Sequence, residues 1–186
     1  VIDSVAIGKS FYGLQFSLDE KYLFASGGHD NIIIKYAIKD KHLYSTDTFK
    51  LGKPWPTAIG PSGIALDEKR NLLYVVTRED RQLYIFDLKT KQFVKKLGMD
   101  GEAYACIMNP NNNELYVSCW GCDQVNTLDL TTLSWKPSIK VGDNPNEMLV
   151  TPDGKYLYVC NSNDNSVSII NLKTKSVIET LDAALF

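Results

Sequence analysis

The tripeptide Leu73-Tyr74-Val75 returns as Leu115-Tyr116-Val117 and again as Leu157-Tyr158-Val159, each copy 42 residues after the one before. A weaker copy, Leu23-Phe24-Ala25, stands 50 residues upstream of the first. The pairs Asp87-Leu88, Asp129-Leu130 and Asn171-Leu172 keep the same step of 42, and Ala37-Ile38 again lies 50 earlier. A unit of about forty residues assembled from short strands is the signature of a β-propeller blade. The repeat therefore predicts an all-β chain of four consecutive four-stranded blades.

One unit shows the pattern. Residues 63–67 form a short apolar run, residues 68–71 a charged turn, and Leu72 to Thr77 a run rich in β-branched and aromatic residues. A polar turn at 78–81 leads to Leu83 to Leu88, and Lys89-Thr90-Lys91 turns the chain into 92–97, whose alternation suits an outer strand with one wet face. The same reading places blades at 11–51, 61–98, 103–141 and 145–181 of a single, partial propeller domain spanning 1–186. The central strands are expected at 22–26, 72–77, 114–118 and 156–160.

Composition agrees with a packed domain, because 44% hydrophobic and 11% aromatic residues supply a sizeable core. A formal charge of −2 gives no electrostatic reason to expect nucleic acid as a partner. No apolar run approaches the ~20 residues of a membrane-spanning helix, so insertion into a membrane is not expected.

Tyr158-Val159-Cys160-Asn161, with Pro152-Asp153-Gly154 before it and Val167-Ser168-Ile169-Ile170-Asn171 after it, resembles the YVTN-repeat propellers that include YncE-like proteins. The first repeat also resembles, through Gly27-Gly28-His29-Asp30-Asn31, Leu51-Gly52-Lys53-Pro54-Trp55-Pro56 and Leu72 to Thr77, propellers that precede an alkaline-phosphatase-like phosphoesterase domain in bacterial proteins. These resemblances imply a propeller fold and a periplasmic or extracellular location. They carry no catalytic residue onto this chain, since a phosphoesterase active site would lie in a domain beyond it.

Residues 1–8 read as the outer strand of a blade not otherwise present, because the fourth repeat has its own outer strand at 176–181. The expectation is an open part of a larger, seven-bladed ring, with self-association through its open blade edges. A closed four-bladed ring is the rival.

Loops that enter each blade share a face with the loops between second and third strands, and ligands of propellers usually meet that face. The first set holds Tyr12, Pro61-Ser62, Ala103-Tyr104 and Pro145-Asn146. The second holds His29 to Asn31, Arg78 to Asp80, Trp120 to Asp123 and Asn161 to Asn165. The rim candidates are therefore Tyr12, His29, Trp55, Arg78, Tyr104, Trp120, Asn146 and Asn161. Trp55 sits between two prolines in a connection 8 residues longer than its counterpart, either as a stacking platform or as a lid folded onto apolar blade edges.

Cys119 and Cys122 form a C-x-x-C without the following His of a haem site or a second knuckle for zinc, which leaves structural thiols or a local disulfide. The run Asn161 to Asn165 has too few carboxylates for calcium and reads as a hairpin turn. His29-Asp30 lacks a nucleophile beside it. No catalytic group, metal or cofactor is expected. The chain reads as a non-catalytic module that binds a small molecule, glycan or protein, or serves as a scaffold; the alternative is the propeller portion of a phosphoesterase.

Overall fold

The computed structural model describes residues 3–183, nearly all in strands and tight turns. The first sheet holds β1 (Leu14–Phe16), β2 (Tyr22–Ser26), β3 (Ile32–Lys39) and β4 (His42–Lys50). The second holds β5 (Pro61–Asp67), β6 (Leu72–Thr77), β7 (Gln82–Asp87) and β8 (Phe93–Gly98). The third holds β9 (Ala103–Met108), β10 (Glu114–Cys119), β11 (Gln124–Asp129) and β12 (Ser134–Lys140). The fourth holds β13 (Pro145–Val150), β14 (Tyr156–Asn161), β15 (Ser166–Asn171) and β16 (Ser176–Asp182). Within each sheet neighbours in sequence are neighbours in space and antiparallel, so each is one propeller blade. Among the described residues no helix is long and apolar enough to cross a membrane.

The repeated Asp/Asn-Leu pairs owe their spacing to one turn. Asp87 Oδ1 accepts from the backbone N–H of Lys89 (2.9 Å) and Thr90 (2.6 Å), and Asp129 Oδ1 from Thr131 (2.9 Å) and Thr132 (3.1 Å). Asn171 Oδ1 does the same with Lys173 (2.9 Å) and Thr174 (3.3 Å). The turn then closes through a residue with positive φ, Lys91, Leu133 or Lys175 at 62°, 53° and 57°, whose N–H returns to the carbonyl of the Asp or Asn. A short polar side chain that bonds backbone two and three residues on is what such a reversal needs. A second shared device opens the central strands of the first and fourth blades. Ser17 and Thr151 each donate to an Asp two residues on, at 2.7 Å, and accept the N–H of Tyr22 and Tyr156.

The chain divides into two compact units, Val1–Met99 with the first two blades and Asp100–Phe186 with the last two. In the first, Phe24, Ile33, Phe49, Ile59, Ile64, Leu73, Val75, Tyr84 and Phe86 form one apolar core. Phe49 lies between Phe24 (centroids 6.1 Å apart) and the edge of Phe86 (5.8 Å). In the second, β9 adjoins β13, and Leu115, Val117, Leu128, Leu157, Val159 and Ile170 are all buried.

The last two blades are also joined by charge. Glu114, 7% exposed, accepts from Lys136 Nζ at 2.9 Å and from Lys175 Nζ and the Tyr116 hydroxyl. Lys175 comes from the β15–β16 turn and also donates to the Tyr116 hydroxyl at 2.8 Å. In the first unit Lys91, from the equivalent turn of the second blade, pairs with Asp47 of the first. A turn lysine reaching back to the preceding blade is thus used in both units.

Residues 1–8, expected as an outer strand, fall partly outside the described residues, and 3–8 form no ladder. They are fastened by side chains instead: Asp3 accepts from the Leu43 N–H at 2.8 Å, and Gly8 packs against the Asp30 carboxylate so closely that a Cβ would collide with it. Gly142, at the exit of the third blade, meets Asp164 in the same way. The inner strand of the first blade also differs from its equivalents. Leu14 is 65% exposed where Ile64, Cys106 and Met148 are all buried.

Candidate functional site

In the first unit four loops meet at one end of the two blades. The loop before β1 touches the β2–β3 loop through a parallel bridge between Lys9 and Gly28. The Trp55 N–H donates to the His29 carbonyl at 2.9 Å, and the N–H groups of Arg78 and Glu79 donate to the carbonyls of Gly60 (3.0 Å) and Ile59 (3.1 Å). The shared loop face expected from the repeat is present in this unit.

Asn31 holds that face together. It is fully buried at the end of the β2–β3 loop with φ of 55°, a backbone region Asn tolerates better than most residues. Its amide nitrogen donates to the carbonyls of Lys53 (2.7 Å) and Thr57 (2.6 Å), and its amide oxygen accepts from the Gly60 N–H at 3.1 Å. Its backbone carbonyl accepts from Leu51. One side chain thus pins the long connection at both sides of Trp55, while Ile59 enters the core as its apolar anchor.

Trp55 is therefore not the lid. The residue is 55% exposed, with its indole near the His29 ring at a centroid distance of 5.2 Å. Ile59 covers the blade edges in its place, because the amide clamp sets which residue of the connection turns inward.

Beside Trp55 lies an open cleft of about 200 Å³ lined by Lys9, Phe11, His29, Arg78 and Glu79 with backbone from Gly28 and Gly60. His29 Nε2 stands 3.1 Å from Glu79 Oε1, so its carboxylate partner is Glu79 and not the adjacent Asp30. Asp30 is turned to the entry loop, where it accepts from the Lys9 N–H at 3.3 Å. The Arg78 guanidinium lies 4.8 Å from the Phe11 ring centroid, a cation–π contact that orients it at the cleft wall. Tyr12 is half-buried next to Phe11, their rings 6.4 Å apart. Of the rim candidates, His29, Trp55 and Arg78 come together here. Phe11, Lys9 and Glu79 complete the cleft, and no motif singled them out.

In the second unit the corresponding loops also meet. Cys119 and Cys122 are joined by a disulfide, which settles the C-x-x-C as a local bridge from the last residue of β10 into the β10–β11 loop. Gly101 packs against both sulfurs, where a Cβ would stand only 2.7 Å from each. Trp120, between the cysteines, is half-buried and donates its backbone N–H to the Glu102 carbonyl at 2.8 Å. Tyr104 and Asn146 are half-buried on the inner strands of their blades. Asn161 is 1% exposed and faces inward, its amide nitrogen donating to the hydroxyls of Ser166 and Ser168 at 2.9 Å each. It is a strut within the fourth blade. Asp164 of the same run accepts from the Asp143 N–H at 2.6 Å, so its carboxylate serves the turn.

Residues 61–182, the whole of β5 to β16, match the DUF5128 family, described as a 6-bladed β-propeller. The chain belongs to that family. Its description gives one blade fewer than the seven expected from the repeat for the complete ring. The chain is 29% identical over 106 residues to antigen Lp49 of Leptospira interrogans, an overlap of 53% of this chain and 23% of the antigen. Among solved structures it is similar to hydrazine synthase of Kuenenia stuttgartiensis, with a TM-score of 0.82 at 20% identity over 96% of this chain and 50% of that one. A functionally unknown protein from Desulfotomaculum acetoxidans gives 0.81 at 12% identity, over 97% of this chain and 58% of that one. The chain thus spans about a quarter of the antigen, half of the one solved chain and 58% of the other. At such identities the structural likeness shows the propeller fold and nothing of the chemistry.

Proposed function

We propose that this propeller domain is a non-catalytic binding module whose ligand meets the cleft beside Trp55. The carrying observation is an indole that stays 55% exposed on a connection held by three hydrogen bonds from one buried amide. A large aromatic surface left open on a fixed backbone loses little conformational freedom when a ligand covers it. The cleft supplies two cations, a carboxylate and an imidazole, the imidazole ring 5.2 Å from the indole, a mixture suited to orienting a ligand. The likeness to a protein named an antigen supports a place in the cell envelope or outside the cell.

The test is Trp55→Ala against a panel of oligosaccharides and peptides. For any member the wild type binds, the variant is expected to lose about 2 kcal/mol or more, roughly 30-fold in affinity. Its unfolding free energy should stay within about 0.5 kcal/mol of wild type, as for most surface substitutions. A ligand held equally well by both proteins would place binding elsewhere.

A further inference from the structure

We propose that the cleft takes one acidic pyranose ring, a uronic acid residue of an oligosaccharide. This rests on reading the cleft as the binding site. Its volume of about 200 Å³ is below the roughly 300–1,000 Å³ of pockets that engulf a drug-sized ligand, so it accommodates one ring and leaves the rest of the ligand over Trp55. A pyranose has an apolar C–H face and a rim of hydroxyls that both donate and accept. The exposed indole, beside the cleft and next to His29 rather than in its lining, matches that face on the neighbouring sugar ring. The His29–Glu79 pair, 3.1 Å apart and with side chains 49% and 33% exposed, matches the rim. An apolar peptide side chain in the same space would leave those polar atoms covered and unmatched, at a cost in free energy.

The acidic group follows from charge. Lys9 and Arg78 are the cationic side chains of the lining and Glu79 is its one carboxylate, already facing His29. A second carboxylate, on the ligand, balances the site. Arg78 carries five N–H donors in a planar fork, so a carboxylate can be served in addition to its present contacts, and stacking on Phe11 fixes the plane of approach.

The full chain is titrated calorimetrically with α-1,4-digalacturonate and with the neutral α-1,4-galactobiose. The acidic sugar is expected to bind about tenfold more tightly, the worth of one charge-assisted hydrogen-bonded contact. That preference should shrink as salt rises from about 0.05 M to 0.5 M. Arg78→Gln and Lys9→Gln should each weaken the acidic sugar more than galactobiose and so reduce the preference, whereas Trp55→Ala weakens both sugars alike. Lys9 is exposed, so its variant reports even if Arg78→Gln folds poorly. Equal affinity for the two sugars, an undiminished preference in both charge variants, or binding of neither sugar overturns the proposal. The binding-module reading fails separately, when Trp55→Ala leaves untouched whatever ligand the wider panel yields.

Discussion

Asn31→Asp is expected to unfold the rim while sparing the blades, and to lower stability by about 2–4 kcal/mol. The substitution keeps the size of the side chain and its tolerance of the positive φ of 55°. It removes both N–H donors from the carbonyls of Lys53 and Thr57 and sets a carboxylate oxygen against them. Those carbonyls and the carboxylate lie where the native side chain is fully buried, so water does not replace the lost bonds without the loop opening. Opening frees Ile59 from the core and lets Trp55 wander from His29. Denaturant titration reads the stability. Hydrogen exchange at residues 51–60, whose amides donate across the rim, reads the loop. A loss below about 1 kcal/mol, with exchange unchanged there, would mean the clamp is redundant.

Glu114→Gln should cost about 1–3 kcal/mol, because it removes the largely buried carboxylate that Lys175 and Lys136 share, while both lysines keep part of their surface in water and Lys136 keeps Asp129 at 3.1 Å. Lys175 then remains beside the Tyr116 hydroxyl without the carboxylate that neutralises it, and the seam between the third and fourth blades weakens. Burial alone would raise the Glu114 pKa, but bonds from Lys175, Tyr116 and Lys136 outweigh it and hold the group at about 2. The folded value is below the unfolded one, so the stabilisation is complete above the ordinary carboxylate range and is lost as pH falls toward 2. The variant is expected to lack that part of the acid dependence. Unfolding measured in urea from neutral pH down to about 3 checks both statements; wild type and variant losing stability in parallel would assign the acid transition to other carboxylates.

The blades were legible because a period fixes equivalence. Tyr74, Tyr116 and Tyr158 occupy the same register on β6, β10 and β14, pairing with Ile85, Thr127 and Ile169. Alternation and turn residues then place the flanking strands. The rim was legible only as a set of loops. What decides its chemistry is a single amide, Asn31, bonded to residues 22 to 29 positions further along, and no spacing announces a bond of that kind. For the same reason Trp55 could be read as platform or lid, and Asn161 as rim when its side chain serves Ser166 and Ser168. Glu79 lay in the Arg78 to Asp80 loop, but its pairing with His29 at 3.1 Å follows only from how the loops meet. The C-x-x-C was open between thiols and a bridge because turn geometry, not spacing alone, brings the Cα atoms to 5.4 Å.

The claim that a ligand meets the loop face of the first two blades is tested most directly by hydrogen exchange with a saturating ligand from the oligosaccharide and peptide panel. Slowed exchange is expected at 9–11, 28–31, 55–60 and 78–79, the segments that build the cleft and its clamp. Protection confined to the turns at the other end of the same blades, 17–21, 40–41 and 88–91, with the cleft segments unchanged, would contradict it.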